Sequence, residues 1–232
     1  MSLDGISFAW EQGFPKGYGH TSISYLKRCN GFESAKNGDI RAAFDVVEKC
    51  VKKDRLNKLR EKYPDSILLP VINCNTLPLA LAHSIGLPIW DKISIVHTVK
   101  RKPLYAIQRM MHKPAFTGYI QKDKTYIIVD DVVTQGGTIA ALRKHVLACG
   151  GKVVAVVALA YSIGSYDIAP TEEQKIRLFS KFGEAVYWLE ELGIIPSVEE
   201  LTSSQVRYLL RFASIWNIFK KITEVDAKVS FF

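Results

Sequence analysis

The chain has 232 residues, 48% hydrophobic and 23% charged, a composition that excludes disordered, collagen-like and coiled-coil proteins and provides a core for one domain with additions or two small ones. The longest apolar run, residues 153–161, is under half of the roughly 20 residues that a membrane-spanning helix needs, so a soluble, cytoplasmic protein is expected. Net charge is +8, and it is uneven: residues 1–169 carry 23 Lys and Arg against 14 Asp and Glu, residues 170–232 carry 8 against 9. A basic body implies an anionic partner, either a phosphorylated small molecule or a nucleic acid.

In chain order, the first 38 residues are the least regular, with residues 1–3 read as a leader and the glycine-rich residues 13–19 as a loop. Over residues 39–63, Ile40, Phe44, Val47, Val51, Leu56 and Leu59 recur at helical spacing until Pro64. That predicts one amphipathic helix with a basic outer face. From residue 65, short β-branched runs alternate with helical patterns, the signature of βαβ units and a parallel sheet. The expected elements are a strand over 67–72, a helix over 77–85, a strand over 93–96, a long polar segment, a strand over 126–129, a helix over 138–149 and a strand over 153–161. Beyond Ser165 only helical patterns remain. Thr171 with Gln174 and Ser197 with Glu200 are spaced as capping boxes, opening runs over 171–192 and 197–222 with a break near 202–204. The chain thus divides into an N-terminal arm and basic helix (1–64), an α/β core (65–165) and a C-terminal helical appendage (166–232).

The stretch with the most chemical content is residues 127–138, a buried strand running into Asp130 and Asp131, then Thr134, Gln135, Gly136, Gly137 and Thr138 and a helix. Ligands of open parallel sheets bind beyond the carboxyl ends of the strands, where the two aspartates emerge. Adjacent carboxylates there can accept hydrogen bonds from vicinal hydroxyls such as those of a ribose. The glycines permit a loop whose backbone N–H groups converge on an anion, and the helix start adds its positive end, so a phosphate suits the loop.

This run resembles the 5-phosphoribosyl 1-pyrophosphate (PRPP) signature of the type I phosphoribosyltransferases, with Gln135 where a second Thr is common. Residues 65–88 are similar to that family's first strand, pyrophosphate loop and helix, and the resemblance extends to about residue 165. It implies an α/β, parallel-sheet, type I phosphoribosyltransferase-like fold with helical N- and C-terminal additions. It further implies that Asp130 and Asp131 hold the ribose hydroxyls, that Thr134, Gln135, Gly136, Gly137 and Thr138 cradle the 5′-phosphate, and that Mg²⁺ arrives with PRPP and is held mainly through it. The reaction implied is transfer of the phosphoribosyl group to a nitrogenous base with release of pyrophosphate, as in nucleobase salvage. Positioning and leaving-group neutralisation supply most of such catalysis. Either terminal segment could be the hood that selects the acceptor, with residues 162–167 as the position for a purine.

In the family, the segment before the motif is a mobile loop that brings cations to the pyrophosphate and excludes water. Residues 97–125 carry Lys100, Arg101, Lys102, Arg109, Lys113, Lys122 and Lys124 against Asp123 alone. The pyrophosphate loop itself departs from the family pattern. Where a cation and glycines are frequent, this chain has Asn73, Cys74, Asn75 and Thr76; a neutral contact is roughly half as strong as a charge-assisted one, which weakens pyrophosphate affinity and turnover. A non-catalytic regulator of this fold, or a ComF-like protein associated with nucleic acid, is the alternative reading.

The remaining features are read as structural. Cys29, Cys50, Cys74 and Cys149 stand apart without a C-x-x-C pair and read as ordinary thiols. The five histidines have no partner at metal-ligand spacing. The basic run at residues 49–62 reads as a solvated face. The aromatics Phe179, Phe182, Tyr187, Trp188, Tyr208, Phe212, Trp216 and Phe219 read as a core or homodimer contact rather than a base-stacking platform.

Overall fold

In a computed structural model of the chain, residues 17–96, 106–162 and 167–229 are described. The N-terminal part contains β1 (Gly17–Thr21), α1 (Ile23–Arg28), α2 (Phe32–Lys36), α3 (Ile40–Cys50) and α4 (Lys53–Lys62). The middle contains β2 (Ile67–Pro70), α5 (Leu77–Ile85), β3 (Ile93–Val96), α6 (Ala106–Met111), β4 (Ala115–Gly118), β5 (Thr125–Val133), α7 (Gly137–Ala148) and β6 (Lys152–Tyr161). The C-terminal part contains α8 (Glu172–Phe182), α9 (Ala185–Glu191), a 3-10 turn (Val198–Glu200), α10 (Ser203–Leu209) and α11 (Ile215–Val229). Four strands form a parallel sheet in the order β1-β6-β5-β2. The α/β class and the parallel sheet are those expected from the alternating pattern.

β5 and β6 are central and hydrophobic nearly throughout, Ile127, Ile128, Val129 and Val156 to Ala160 being buried on both faces. That is the pattern of a parallel strand covered on two sides. One face packs against α1 to α5 through Leu26, Val46, Leu56, Leu81 and Ile85. The other packs against α7 through Ile139, Leu142 and Val146. A separate apolar cluster joins α8 to α11 and takes in Ile107 and Met110 of α6.

Several expectations are corrected. Part of the N-terminal loop is strand: Tyr18 and Gly19 of β1 pair with Val157 and Ala158 of β6. A strand with two glycines in five residues has no propensity signal; the exposed backbone of β6 recruits it. Gly17 is required there, since a Cβ would lie 2.5 Å from the Tyr161 ring. The described part of the N-terminal segment, expected as an arm and basic helix, supplies an edge strand and one covering layer of the sheet.

The single helix expected over 39–63 is two, because Val51 turns extended (φ −75°, ψ 137°). This break lets the Lys52 N–H donate to His20 Nδ1 of β1 at 3.1 Å. β3 has the predicted bounds but lies outside the parallel sheet, in an antiparallel pair with β4. The open edge of β2 is partly taken by residues 88–90: Leu68 N–H donates to the Pro88 carbonyl at 2.7 Å, and Trp90 N–H to the Leu68 carbonyl at 2.9 Å. The segment expected as polar loop before the motif contains α6 and β4, both too short for a periodic signal. Gly183, at φ +56°, splits the 171–192 run into α8 and α9. Ser197 opens only a 3-10 turn; the capping box lies at Thr202 with Gln205, opening α10.

Candidate functional site

β5 carries Asp130 and Asp131 to the carboxyl end of the sheet, and the chain then turns at Gly136 into α7. Gly136 has φ +75°, a left-handed conformation that costs side-chain-bearing residues about 1–2 kcal/mol. Its far side is pressed by the C-terminal helices: a Cβ there would lie 3.3 Å from Thr202 Cγ2 and 3.4 Å from Ile168 Cγ2. Thr202 Oγ1 donates to the Gln135 carbonyl, and Ser162 Oγ donates to the Thr134 carbonyl at 3.0 Å. The loop is thus fixed from outside by carbonyl contacts. The inner side is open to a cavity of about 210 Å³ lined by Arg109, Asp130 and residues 132–139. Thr134, Gln135, Gly136, Gly137 and Thr138 all line it, beside the first turn of α7. The first amides of a helix have no intrahelical acceptor and carry its positive end, so the cavity has room for a phosphate beside donors suited to one.

The carboxylates differ in environment. Asp131 is 5% exposed and accepts an ion pair from Lys36 Nζ at 2.6 Å. Asp130 opens in part to the cavity, and its Oδ1 accepts the Asp131 N–H at 2.9 Å. Desolvation, and then the Asp131 charge beside it, push the Asp130 carboxyl well above the ordinary value, while that backbone N–H and Lys36 pull the other way. Burial and the adjacent charge thus favour the protonated form of Asp130 in the ligand-free protein.

Lys36 was not singled out in the sequence, and no motif could have found it: it ends a five-residue helix, 95 positions before its partner. Tertiary packing brings it in. Thr76 N–H and Thr76 Oγ1 donate to the Ala35 carbonyl at 3.1 and 2.9 Å, stitching the end of α2 to the turn after β2.

The residues expected to form the pyrophosphate loop mostly hold their own turn. Asn73 Oδ1 accepts the Asn75 N–H at 2.7 Å, and Asn75 Oδ1 accepts the Leu77 N–H at 3.1 Å, ahead of α5. Cys74 is exposed, and the Thr76 hydroxyl is turned to α2. Of the expected basic loop, Arg109 lines the cavity beside the 134–138 turn, whereas Lys100, Arg101 and Lys102 lie outside the described residues. The basic face at residues 49–62 is partly structural, since Arg55 donates to the Gly19 carbonyl and Arg60 to the Ile85 carbonyl and to Asn57.

The thiols of Cys29, Cys50, Cys74 and Cys149 are free. Cys50 lies 3.6 Å from Cys29, and burial with that contact pushes its thiol up to about 12. Among the described residues no group of three or more His, Cys, Asp or Glu is placed to hold a metal. No described helix is long and apolar enough to cross a membrane.

No protein-family model matches the chain. It is 28% identical over 215 residues to protein TraN of Escherichia coli, across 87% of this chain and 48% of that protein. It is also 35% identical over 127 residues to an uncharacterized protein of Haemophilus influenzae, across 50% of this chain and 28% of that protein. The chain therefore spans half or less of the length of these curated relatives. Among solved structures it is similar to a purine phosphoribosyltransferase from Pyrococcus horikoshii, with 28% identity, 47% of this chain, 69% of that chain and a TM-score of 0.34. It is similar also to an adenine phosphoribosyltransferase from Saccharomyces cerevisiae, with 16% identity, 59% of this chain, 72% of that chain and a TM-score of 0.34.

Proposed function

We propose that the protein binds PRPP with Mg²⁺ and transfers its phosphoribosyl group to a nitrogenous base, releasing pyrophosphate. The observation that carries this reading is the conjunction, at one strand end, of two adjacent carboxylates and a glycine loop beside a cavity with room for a phosphate. Asp130 and Asp131 accept the ribose 2- and 3-hydroxyls, and the 134–138 amides with Arg109 hold the 5′-phosphate. Lys36 stands in for the cation missing from the 73–76 turn. It reaches the same place from α2, stitched to that turn through Thr76, and on binding it turns from Asp131 toward the pyrophosphate.

Mg²⁺ typically takes one or two carboxylates together with substrate oxygens and water, a donor set that Asp130 and Asp131 fit when PRPP is present. Held there mainly through PRPP, Mg²⁺ would supply positive charge to neutralise the leaving pyrophosphate. The chain's own contribution is positional: the loop and carboxylates hold the ribose at both ends, so that a nitrogen lone pair meets the anomeric carbon as its bond to pyrophosphate breaks. The carboxylates lie where positive charge develops on the sugar.

Calorimetric titration of PRPP with Mg²⁺ into the wild type and into Asp130→Asn/Asp131→Asn tests the reading. Saturable binding in the wild type that vanishes in the double variant is the expected result. Equal binding by both proteins, or binding by neither, overturns it.

A further inference from the structure

A second cavity, of about 810 Å³, adjoins the one beside the 134–138 turn and shares Arg109, Thr134 and Gln135 with it. It opens over the carboxyl ends of β1 and β6, at Ser22 and Ser162. The sheet order β1-β6-β5-β2 gives this position a meaning. Neighbouring strands are about 4.8 Å apart, so the turn after β2 lies on one side of Asp130 and Asp131 and this cavity lies on the other. Displacement at a ribose carbon brings the nucleophile in opposite the leaving group. With pyrophosphate over β2, the acceptor arrives from the side of β6 and β1.

The walls of the cavity restrict what it takes. Tyr161 and Tyr208 line it; the Tyr161 ring is turned to Gly17 and the Val156 carbonyl, so the aromatic face suited to a planar ring is that of Tyr208, which Phe212 meets edge-on with centroids 5.3 Å apart. Arg109, Arg207 and Arg211 line it as well, and among the described residues no carboxylate does. Arg207 is held in the wall, its Nη2 donating to Ser204 Oγ at 2.8 Å and its Nη1 to Ser203 Oγ at 3.4 Å. The planar forks of the guanidinium groups lining one cavity match a carboxylate.

Resting on the PRPP reading, we infer that this cavity is the acceptor site and that the acceptor is a planar nitrogen heterocycle bearing a carboxylate. Its ring nitrogen lone pair forms the bond to the anomeric carbon. The carbon–oxygen bond to pyrophosphate breaks with its electron pair on the leaving oxygen, and a ring N–H proton, where there is one, passes to solvent. The C-terminal helices, through Arg207, Tyr208 and Arg211, are then the part of the chain that selects the acceptor.

The test is pyrophosphate release from PRPP and Mg²⁺ with two pairs of probes, nicotinate against nicotinamide and orotate against uracil. Each pair separates a carboxylate-bearing ring from a neutral one. The expected result is a preference for a carboxylate member of at least roughly tenfold in kcat/KM, the order expected for a charged hydrogen bond. That preference should shrink toward unity, mainly through KM, in Arg211→Gln and in Arg207→Gln/Arg211→Gln, the first being an exposed position that leaves packing intact. PRPP binding accompanied by a preference for the neutral members, by equal rates, or by no release with any probe overturns this inference and leaves the PRPP site standing. Absence of PRPP binding overturns both.

Discussion

Replacing Lys36 with Met retains the stem and removes the ammonium 2.6 Å from Asp131 Oδ2. The carboxylate left behind is 7% exposed and sits beside a second one. Removing one partner of a buried pair costs about 3–5 kcal/mol; since the Lys36 side chain is 25% exposed, solvent screens part of that, and we expect a loss of about 2 kcal/mol in urea unfolding at neutral pH. Ligand binding separates the two roles assigned to this lysine. If it meets the pyrophosphate, Lys36→Met weakens PRPP and free pyrophosphate by roughly 10- to 100-fold, the range for one charge-assisted hydrogen bond, and leaves ribose 5-phosphate within a few-fold. Lys36→Arg restores much of the loss. Calorimetry with the three ligands reads this directly. An equal loss for PRPP and ribose 5-phosphate shows that Lys36 only positions Asp131. Tighter PRPP binding in Lys36→Met shows that the ion pair blocks the site, and either result refutes the assignment of a pyrophosphate cation.

Three further outcomes follow from the geometry. Asp130 has a raised carboxyl, so its contribution to the fold is complete at low pH and lost as pH rises through its folded value; Asp130→Asn should therefore stabilise the ligand-free protein at pH 7 by about 1 kcal/mol while removing PRPP binding, seen by thermal unfolding with and without PRPP. His20 is 4% exposed, its Nε2 has no hydrogen-bond partner, and burial followed by Arg55 lowers it from 6.5 to about 4. Stability linked to it is present above pH 6.5 and declines as pH falls toward 4, by about 3 kcal/mol in all; His20→Asn, which keeps an acceptor for the Lys52 N–H, should flatten that part of the urea-unfolding profile. Gly136→Ala combines a positive φ with a Cβ 3.3 Å from Thr202 Cγ2, and Thr202→Val removes both a helix cap and the bond to the Gln135 carbonyl; each should cost about 1–2 kcal/mol and weaken PRPP binding by displacing the loop, measured by unfolding and titration together.

Those features that rest on local chemistry were legible in the sequence. The 127–138 run states its own strand, turn and helix because apolar residues, adjacent acids and glycines each restrict the backbone in a different way, and the structure places them at the end of β5 and the start of α7. The helix at 77–85, set off by Thr76 and Gly86, and the capping box at Thr171 are local in the same sense. The box at Thr202 was not read from the sequence, where residues 202–204 were expected as a break in a run opened by Ser197; α10 starts there, its cap also bonded to the motif loop.

What only the tertiary structure decided is held by contacts between distant residues. β1 exists because β6 offers it an edge, and β3 pairs with β4 because residues 88–90 lie on β2. Lys36 reaches Asp131 across 95 positions, and Arg109, Arg207 and Arg211 meet around one cavity from α6 and the end of α10. The physical reason is common to all of these. Backbone preference and patterning act over a few residues and leave a trace in the sequence, whereas the charge that meets a given carboxylate is chosen by chain packing in space. The sequence by itself determined a parallel α/β chain and where its strand–glycine turn–helix run lies; which cations face that turn was decided by the fold.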